Sequence, residues 1–254
     1  MHGLLRASAL AVALAAAPGA AAFDESGDGE RLESPAVGEP VAFKFTPTWY
    51  ATTDEPSAFD LNLRATRGLD TGWVGFYRQH EEFQQLRAGY ERTVELPFGK
   101  LVLGGQMASR GFLGAAAGMQ IGGPVFALLG FSRTNLKPYF NLNFDPNDAV
   151  LFGAGVQAAS GTTVTLFQVH DDRLGTGQRV THLVLRTRPT ERTRWTIDIF
   201  HRSGWSAPED GEPISATGAG LTWDIDRWFA RITWDPNVNF TPNDMLRVAL
   251  GVRF

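Results

Sequence analysis

Apolar and polar residues alternate along most of this chain, in short segments with a period of two. In 244–254, Leu246, Val248, Leu250, Val252 and Phe254 share one face, while Arg247, Ala249, Gly251 and Arg253 share the other. A pleated strand imposes that spacing. The same holds in 227–235, where Trp228, Ala230, Ile232 and Trp234 oppose Phe229, Arg231, Thr233 and Asp235, and in 192–202, where Trp195, Ile197 and Ile199 oppose Arg194, Thr196 and Asp198. Gly, Pro, Asn and Asp collect between such segments, as turn chemistry requires. The candidate strands are 41–51, 57–66, 72–80, 84–95, 100–109, 112–122, 125–133, 136–145, 149–159, 162–171, 178–188, 192–202, 214–225, 227–235 and 244–254. No segment competes with a helical period.

A final alternating strand that ends on Phe254 resembles the insertion signal of bacterial outer-membrane β-barrels. The resemblance implies an all-β fold, an antiparallel up-and-down transmembrane barrel, inserted by the barrel assembly machinery through its carboxy-terminal strand. Such barrels carry an even number of strands with both termini periplasmic. Fifteen candidates therefore contain an error, and 12 to 14 strands are expected; 136–145, with loop-like flanks, and the first strand are the suspects. Counting back from Phe254 puts 203–213 and 236–243 outside the cell, and the short connections 188–192 and 225–227 on the periplasmic side. Long outer loops and tight inner turns are the outer-membrane arrangement. A soluble β-sandwich with Trp in its core is the competing fold.

The amino terminus supplies an address. His2 and Arg6 precede an apolar run from Ala7 to Ala17, then Pro18-Gly19 and Ala20-Ala21-Ala22. This is a signal peptide over 1–22, cut before Phe23; its core is shorter than the about 20 residues a spanning helix needs. Residues 23–40, acidic and rich in Gly and Ser, are read as a mobile periplasmic tail, and 41–254 as the barrel. The chain has 254 residues, 28 glycines, a net charge of −4 and no cysteine, which excludes disulfides and Cys-based metal or nucleophile chemistry. The expected address is the bacterial outer membrane, with its lipid and lipopolysaccharide as partners. No nucleotide loop or basic cluster suited to nucleic acid is present, and no cofactor is implied.

Parity places Lys44, Arg64, Arg87, Arg186, Arg194, Arg231, Arg247 and Arg253 on the inward face, together with Asp60, Asn62, Glu91, Lys137, Asn141, Asn143, His182, Asp198 and Asp235. Basic residues outnumber acidic ones there although the whole chain is acidic. A wet lumen with an arginine excess favours anions, and in that respect looks like the small barrels that pass acidic sugars. The alternative is a cross-barrel ion-pair network that fills a narrow interior. Strands 100–133 offer little polar lining, with Gly104-Gly105, Gly114 to Gly118 and Gly122-Gly123.

One constellation points to catalysis. His201-Arg202-Ser203 puts an imidazole and a hydroxyl on the lipid-facing side at an outer strand end, and resembles the outer-membrane phospholipase A and lipid A deacylase barrels. The resemblance implies His201 as base and Ser203 as nucleophile of an acyl hydrolase. Gly204 stands where those families carry Asn, and no third member is evident among Glu209, Asp210, Glu212, Ser215 and Thr217. The bland reading is a rim contact with lipopolysaccharide. His80, His170 and His182 lack metal-ligand spacing, and no metal site is expected; the Asp-Pro-Asn motifs at Asp145 and Asp235 are turn formers first, calcium ligands second. The leading expectation is a narrow, anion-preferring diffusion channel or structural membrane protein; the alternative is the acyl hydrolase.

Overall fold

The computed structural model describes residues 40–80 and 83–254. The signal-peptide reading, and the tail reading up to residue 39, lie outside the described residues. Fourteen strands form one closed antiparallel barrel: β1 Ala42–Thr52, β2 Ala58–Arg67, β3 Asp70–Gln79, β4 Phe83–Leu96, β5 Gly99–Ala108, β6 Phe112–Gly122, β7 Val125–Thr134, β8 Ala149–Gln157, β9 Thr163–Asp171, β10 Arg179–Thr190, β11 Thr193–Trp205, β12 Pro213–Ile225, β13 Trp228–Asp235 and β14 Met245–Arg253. Closure is made by β1 on β14, from Lys44 opposite Arg253 to Thr52 opposite Met245. Among the described residues no strand is left with an unpaired edge, the only way a sheet can cross a bilayer with its backbone polar groups satisfied.

Connections at one end are short: 68–69, 97–98, 123–124, 191–192 and 226–227. Gly68 (φ +56°) and Asp226 (φ +51°) hold the left-handed conformation that lets so tight a turn match the strand twist. The opposite end carries 135–148, 172–178, 206–212 and 236–244, so the short-turn end is periplasmic and the long-loop end extracellular.

The outward face is apolar. Trp49, Trp205 and Trp234 stand near the extracellular ends of their strands and Trp195, Trp223 and Trp228 near the periplasmic ends, all 44–56% exposed. Between these two girdles lie Leu63, Val74, Leu86, Leu103, Leu129, Leu183, Ile199, Leu221, Ile232 and Leu250, likewise exposed. So large an apolar surface is a lipid surface, and indole rings sit favourably at headgroup level. Trp73 faces inward, and its ring lies over Gly89, where a Cβ would come within 2.4 Å of it.

The candidate strand 136–145 is not a strand. Pro138 lacks the N–H a ladder needs, and Leu136 (φ +57°) and Phe144 (φ +61°) are left-handed. Segment 135–148 instead turns into the barrel, where Tyr139, Phe140, Asn141, Phe144, Asp145, Asn147 and Asp148 are all buried. The apolar alternation that mimicked a strand is spent on an aromatic cluster: Phe140 stacks on Tyr77 with centroids 3.5 Å apart, and Tyr50 meets Phe140 at 5.3 Å and Phe144 at 6.4 Å. With that segment removed from the count, the strand number is even.

Candidate functional site in the barrel lumen

The lumen has two unlike walls. From β7 to β10 the inward face holds one packed apolar cluster of Phe126, Leu128, Ala149, Leu151, Phe167, Val169 and Val184. Small residues Gly114, Ala116 and Gly118 continue it on β6. Across the barrel, β10 to β14 and β1 to β4 carry the ionic groups. Two small polar-lined cavities lie along the ionic side.

Segment 135–148 crosses above these cavities and is held by the walls. Gln85 on β4 donates through Nε2 to the Pro138 carbonyl at 2.9 Å and accepts from the Phe140 N–H at 2.7 Å. Arg87, also on β4, donates to the Phe140 carbonyl at 3.0 Å, and Tyr139 donates to Gln106 Oε1 on β5 at 3.0 Å. Arg247 on β14 donates to the Leu142 carbonyl. Ser132 on β7 holds the returning chain through the Asn147 carbonyl at 2.6 Å. The segment's backbone polar groups are thus satisfied by side chains rather than by a neighbouring strand, the accounting that burial demands. Loop 236–244 leans in beside it, with Val238 and Phe240 buried and the Asn237 carbonyl accepting from Arg202 at 2.8 Å.

Beneath the segment two cavities of about 50 and 40 Å³ share Asn143, Arg231 and Arg247 in their walls. Each has room for a few waters, since one water needs roughly 10–15 Å³ on this measure. The first is also bounded by Asp145, His182, Asp198 and Arg202, the second by Lys44, Arg64, Asp60 and Asn62.

The basic residues of the inward face lie as follows. Lys44 sits 5.0 Å from the Phe229 ring, Arg64 pairs with Glu91 at 3.2 Å, and Arg87 pairs with Asp60 with both side chains almost fully buried. Arg194 and Arg253 share Asp224, at 3.2 and 2.7 Å. Arg231 donates to Thr222 at 3.0 Å and Arg186 to Thr196 at 3.5 Å. Arg247 is 3.9 Å from Asp235, whose other oxygen meets Arg202 at 2.5 Å.

Several of these groups escaped the sequence reading. Arg202, treated there as a rim residue, is on the inward face and 1% exposed; its even parity with Arg194 and Asp198 was the available signal. Gln85 and Asp145 carry no sequence mark of their function, because the partners of Gln85 lie in the segment 136–145 expected as a strand and Asp145 belongs to it.

His201 and Ser203 lie on the outward face of β11, opposite Thr217 and Ser215 of β12. His201 Nδ1 is 3.0 Å from Thr217 Oγ1, and Ser203 Oγ accepts from Arg179 Nε at 2.8 Å. Among the described residues no hydrogen bond joins the two side chains, and no cluster of three His, Asp or Glu groups is spaced to hold a metal ion.

No protein-family model matches this sequence, and no curated protein is similar to it in sequence. Solved structures are similar in fold. The Acinetobacter baumannii outer membrane protein Omp33 superposes with a TM-score of 0.55 at 10% identity, over 84% of this chain and 97% of that one. Pseudomonas aeruginosa OprD gives 0.47 at 8% identity, over 88% and 97%, and the NanC porin 0.45 at 7%, over 82% and 98%. Identities this low speak for architecture alone: the chain has the closed β-barrel fold that the outer membrane protein Omp33 has.

Proposed function

We propose that this chain is a narrow, anion-preferring diffusion channel of the bacterial outer membrane, cleaved of residues 1–22 on export. One observation carries the reading: segment 135–148 is drawn across the lumen, and the two cavities it leaves share Arg231, Arg247 and Asn143 in their walls. A permeating ion must pass guanidinium groups there. At an effective dielectric of about 20, a unit charge roughly 4 Å from a cation gains about 4 kcal/mol, enough to offset much of an anion's dehydration and to repel a cation. Rings of Arg and Lys select anions in this way.

Planar-bilayer recording on the folded, inserted protein tests the proposal. Small currents are expected, with a reversal potential in a salt gradient that favours anions. Arg231→Gln combined with Arg247→Gln should lower that selectivity while the barrel remains folded. Absence of current, even after residues 139–145 are replaced by a short Gly-Ser bridge, would overturn it. The exposed Phe254, stacked on Phe43 at 5.6 Å, is the natural contact for the barrel assembly machinery; Phe254→Leu, which keeps the backbone hydrogen bonds to Phe43, should slow insertion more than it lowers the unfolding midpoint of inserted protein.

A further inference from the structure

His182 is wedged between two carboxylates. Its Nδ1 lies 3.0 Å from Asp198 Oδ2 on β11, and its Nε2 lies 3.3 Å from Asp145 Oδ1 on segment 135–148. The ring is stacked on Phe167 of β9 with centroids 4.6 Å apart and planes at 6°, and it tilts against Phe200 at 5.6 Å. Both His182 and Asp145 are buried, so the packing fixes the ring orientation. Ionised carboxylates only accept hydrogen bonds. Each contact therefore needs a proton on the nitrogen, and only the imidazolium has both.

We infer that His182 is a positioning residue of the constriction: as a cation it ties the Asp145 end of segment 135–148 to the β10–β11 wall, and loss of one proton releases that end and widens the lumen. This rests on the channel reading. The geometry gives the direction. A neutral ring can serve one carboxylate only and turns a lone pair toward the other, so one of the two contacts becomes repulsive. The remaining charged groups around the cavity the ring borders are Arg202 on β11, Arg231 on β13 and Arg247 on β14, with Asp235 on β13 near enough to interact electrostatically. Asp235 is engaged by Arg202 and leaves Asp145 and Asp198 to His182. Release is confined to the stretch around Asp145, because Gln85, Arg87 and Arg247 hold Pro138, Phe140 and Leu142 on one side of it, and Ser132, Thr134 and Arg173 hold Asn147 and Asp148 on the other. The tie is present while both nitrogens are protonated and is lost as pH rises, so opening belongs to the alkaline side.

The experiment compares the parent with His182→Arg and His182→Gln, each first checked for folding by heat-dependent gel mobility. Conductance of the parent should rise about two-fold or more from neutral to strongly alkaline pH, as expected when a constriction limits flow. His182→Arg, charged throughout because guanidinium does not deprotonate in this range, should stay at the low level. His182→Gln should sit at the high level at every pH. Ring-nitrogen NMR of 15N-histidine-labelled protein supplies a readout that needs no current: the resonance deleted by His182→Gln should report two protonated nitrogens at neutral pH and lose a proton at the midpoint of the conductance rise. A neutral ring at neutral pH, or a pH profile that survives in His182→Gln, overturns the inference. No current in any of the three proteins, with the ring charged, overturns instead the channel reading and with it the gating function of the tie.

Discussion

Arg202 and Asp235 form an ion pair whose side chains are 1% and 0% exposed, and its energetics can be separated by two variants. Arg202 donates to Asp235 at 2.5 Å and to the Asn237 carbonyl at 2.8 Å, and lies 5.4 Å from the Phe240 ring and 5.7 Å from that of Phe200. Arg202→Met keeps most of the aliphatic stem but leaves the Asp235 carboxylate in the interior, with Arg247 at 3.9 Å as its nearest countercharge. Breaking a buried pair from one side costs about 3–5 kcal/mol, because a desolvated charge remains. Arg202→Met with Asp235→Leu removes both charges. What is then lost is one hydrogen bond to a carbonyl, about 1 kcal/mol net, and a cation–π contact of roughly 0.5–1 kcal/mol. The double variant, which also takes from Arg247 its carboxylate at 3.9 Å, should be less destabilised than the single one by about 1–3 kcal/mol, the difference between these two figures. Urea unfolding of lipid-inserted protein, followed by tryptophan fluorescence, reads both. A double variant no more stable than Arg202→Met would refute the assignment of the cost to the stranded Asp235 charge.

The glycines offer a contrast between two faces. Gly218→Ala, whose Cβ would meet the Phe200 ring at 2.3 Å and the Trp234 carbonyl at 2.6 Å, should destabilise by about 1–3 kcal/mol, the range for overpacking. Gly105→Ala, with open space at that position, should leave the unfolding midpoint unchanged. At the periplasmic turn, the Arg192 guanidinium hydrogen-bonded to Asp226 holds that carboxyl below the ordinary carboxylate range. Its small contribution is therefore present above the unfolded value of about 4 and lost as pH falls through the depressed one. Unfolding curves of the parent and Asp226→Asn should accordingly converge in acid. Replacing 139–145 by a Gly-Ser bridge should raise single-channel conductance several-fold, since a loop rather than the barrel wall limits the lumen.

Much of the architecture was legible because the constraint is so narrow. In lipid, alternate residues must be apolar and the sheet must close, so the two faces of β11, β13 and β14 follow from parity alone. The parity rule also showed that one of fifteen segments was misassigned. It did not say which. Segment 135–148 alternates like a strand because Phe140 and Phe144 face Tyr50 and Tyr77 while Asn141 and Asp145 face polar partners; a periodicity of two cannot distinguish lipid on one side from a second protein wall. The same blindness hid Gln85 and Asp145, whose partners are distant in sequence. Arg202 was readable and was missed through its proximity to His201.

The charge pattern links the proposed selectivity to the tie at His182. Two carboxylates on the ionic wall each serve two cations: Asp224 takes Arg194 and Arg253, and Asp235 takes Arg202 and Arg247. Each such carboxylate meets two guanidinium groups, while Arg64 meets Glu91 and Arg87 meets Asp60. His182 reverses the ratio, one cation against Asp145 and Asp198. At Asp224 and Asp235 guanidinium therefore outnumbers carboxylate, and the pair of Asp145 and Asp198 is kept in check by a single titratable proton. Removing that proton should act twice on a permeating anion, widening the passage and adding negative charge beside it. Alkaline pH should accordingly raise conductance and lower anion selectivity together. A change that only relaxed the barrel would raise the first and leave the second, so measuring reversal potential at each pH separates loss of the tie from general loosening.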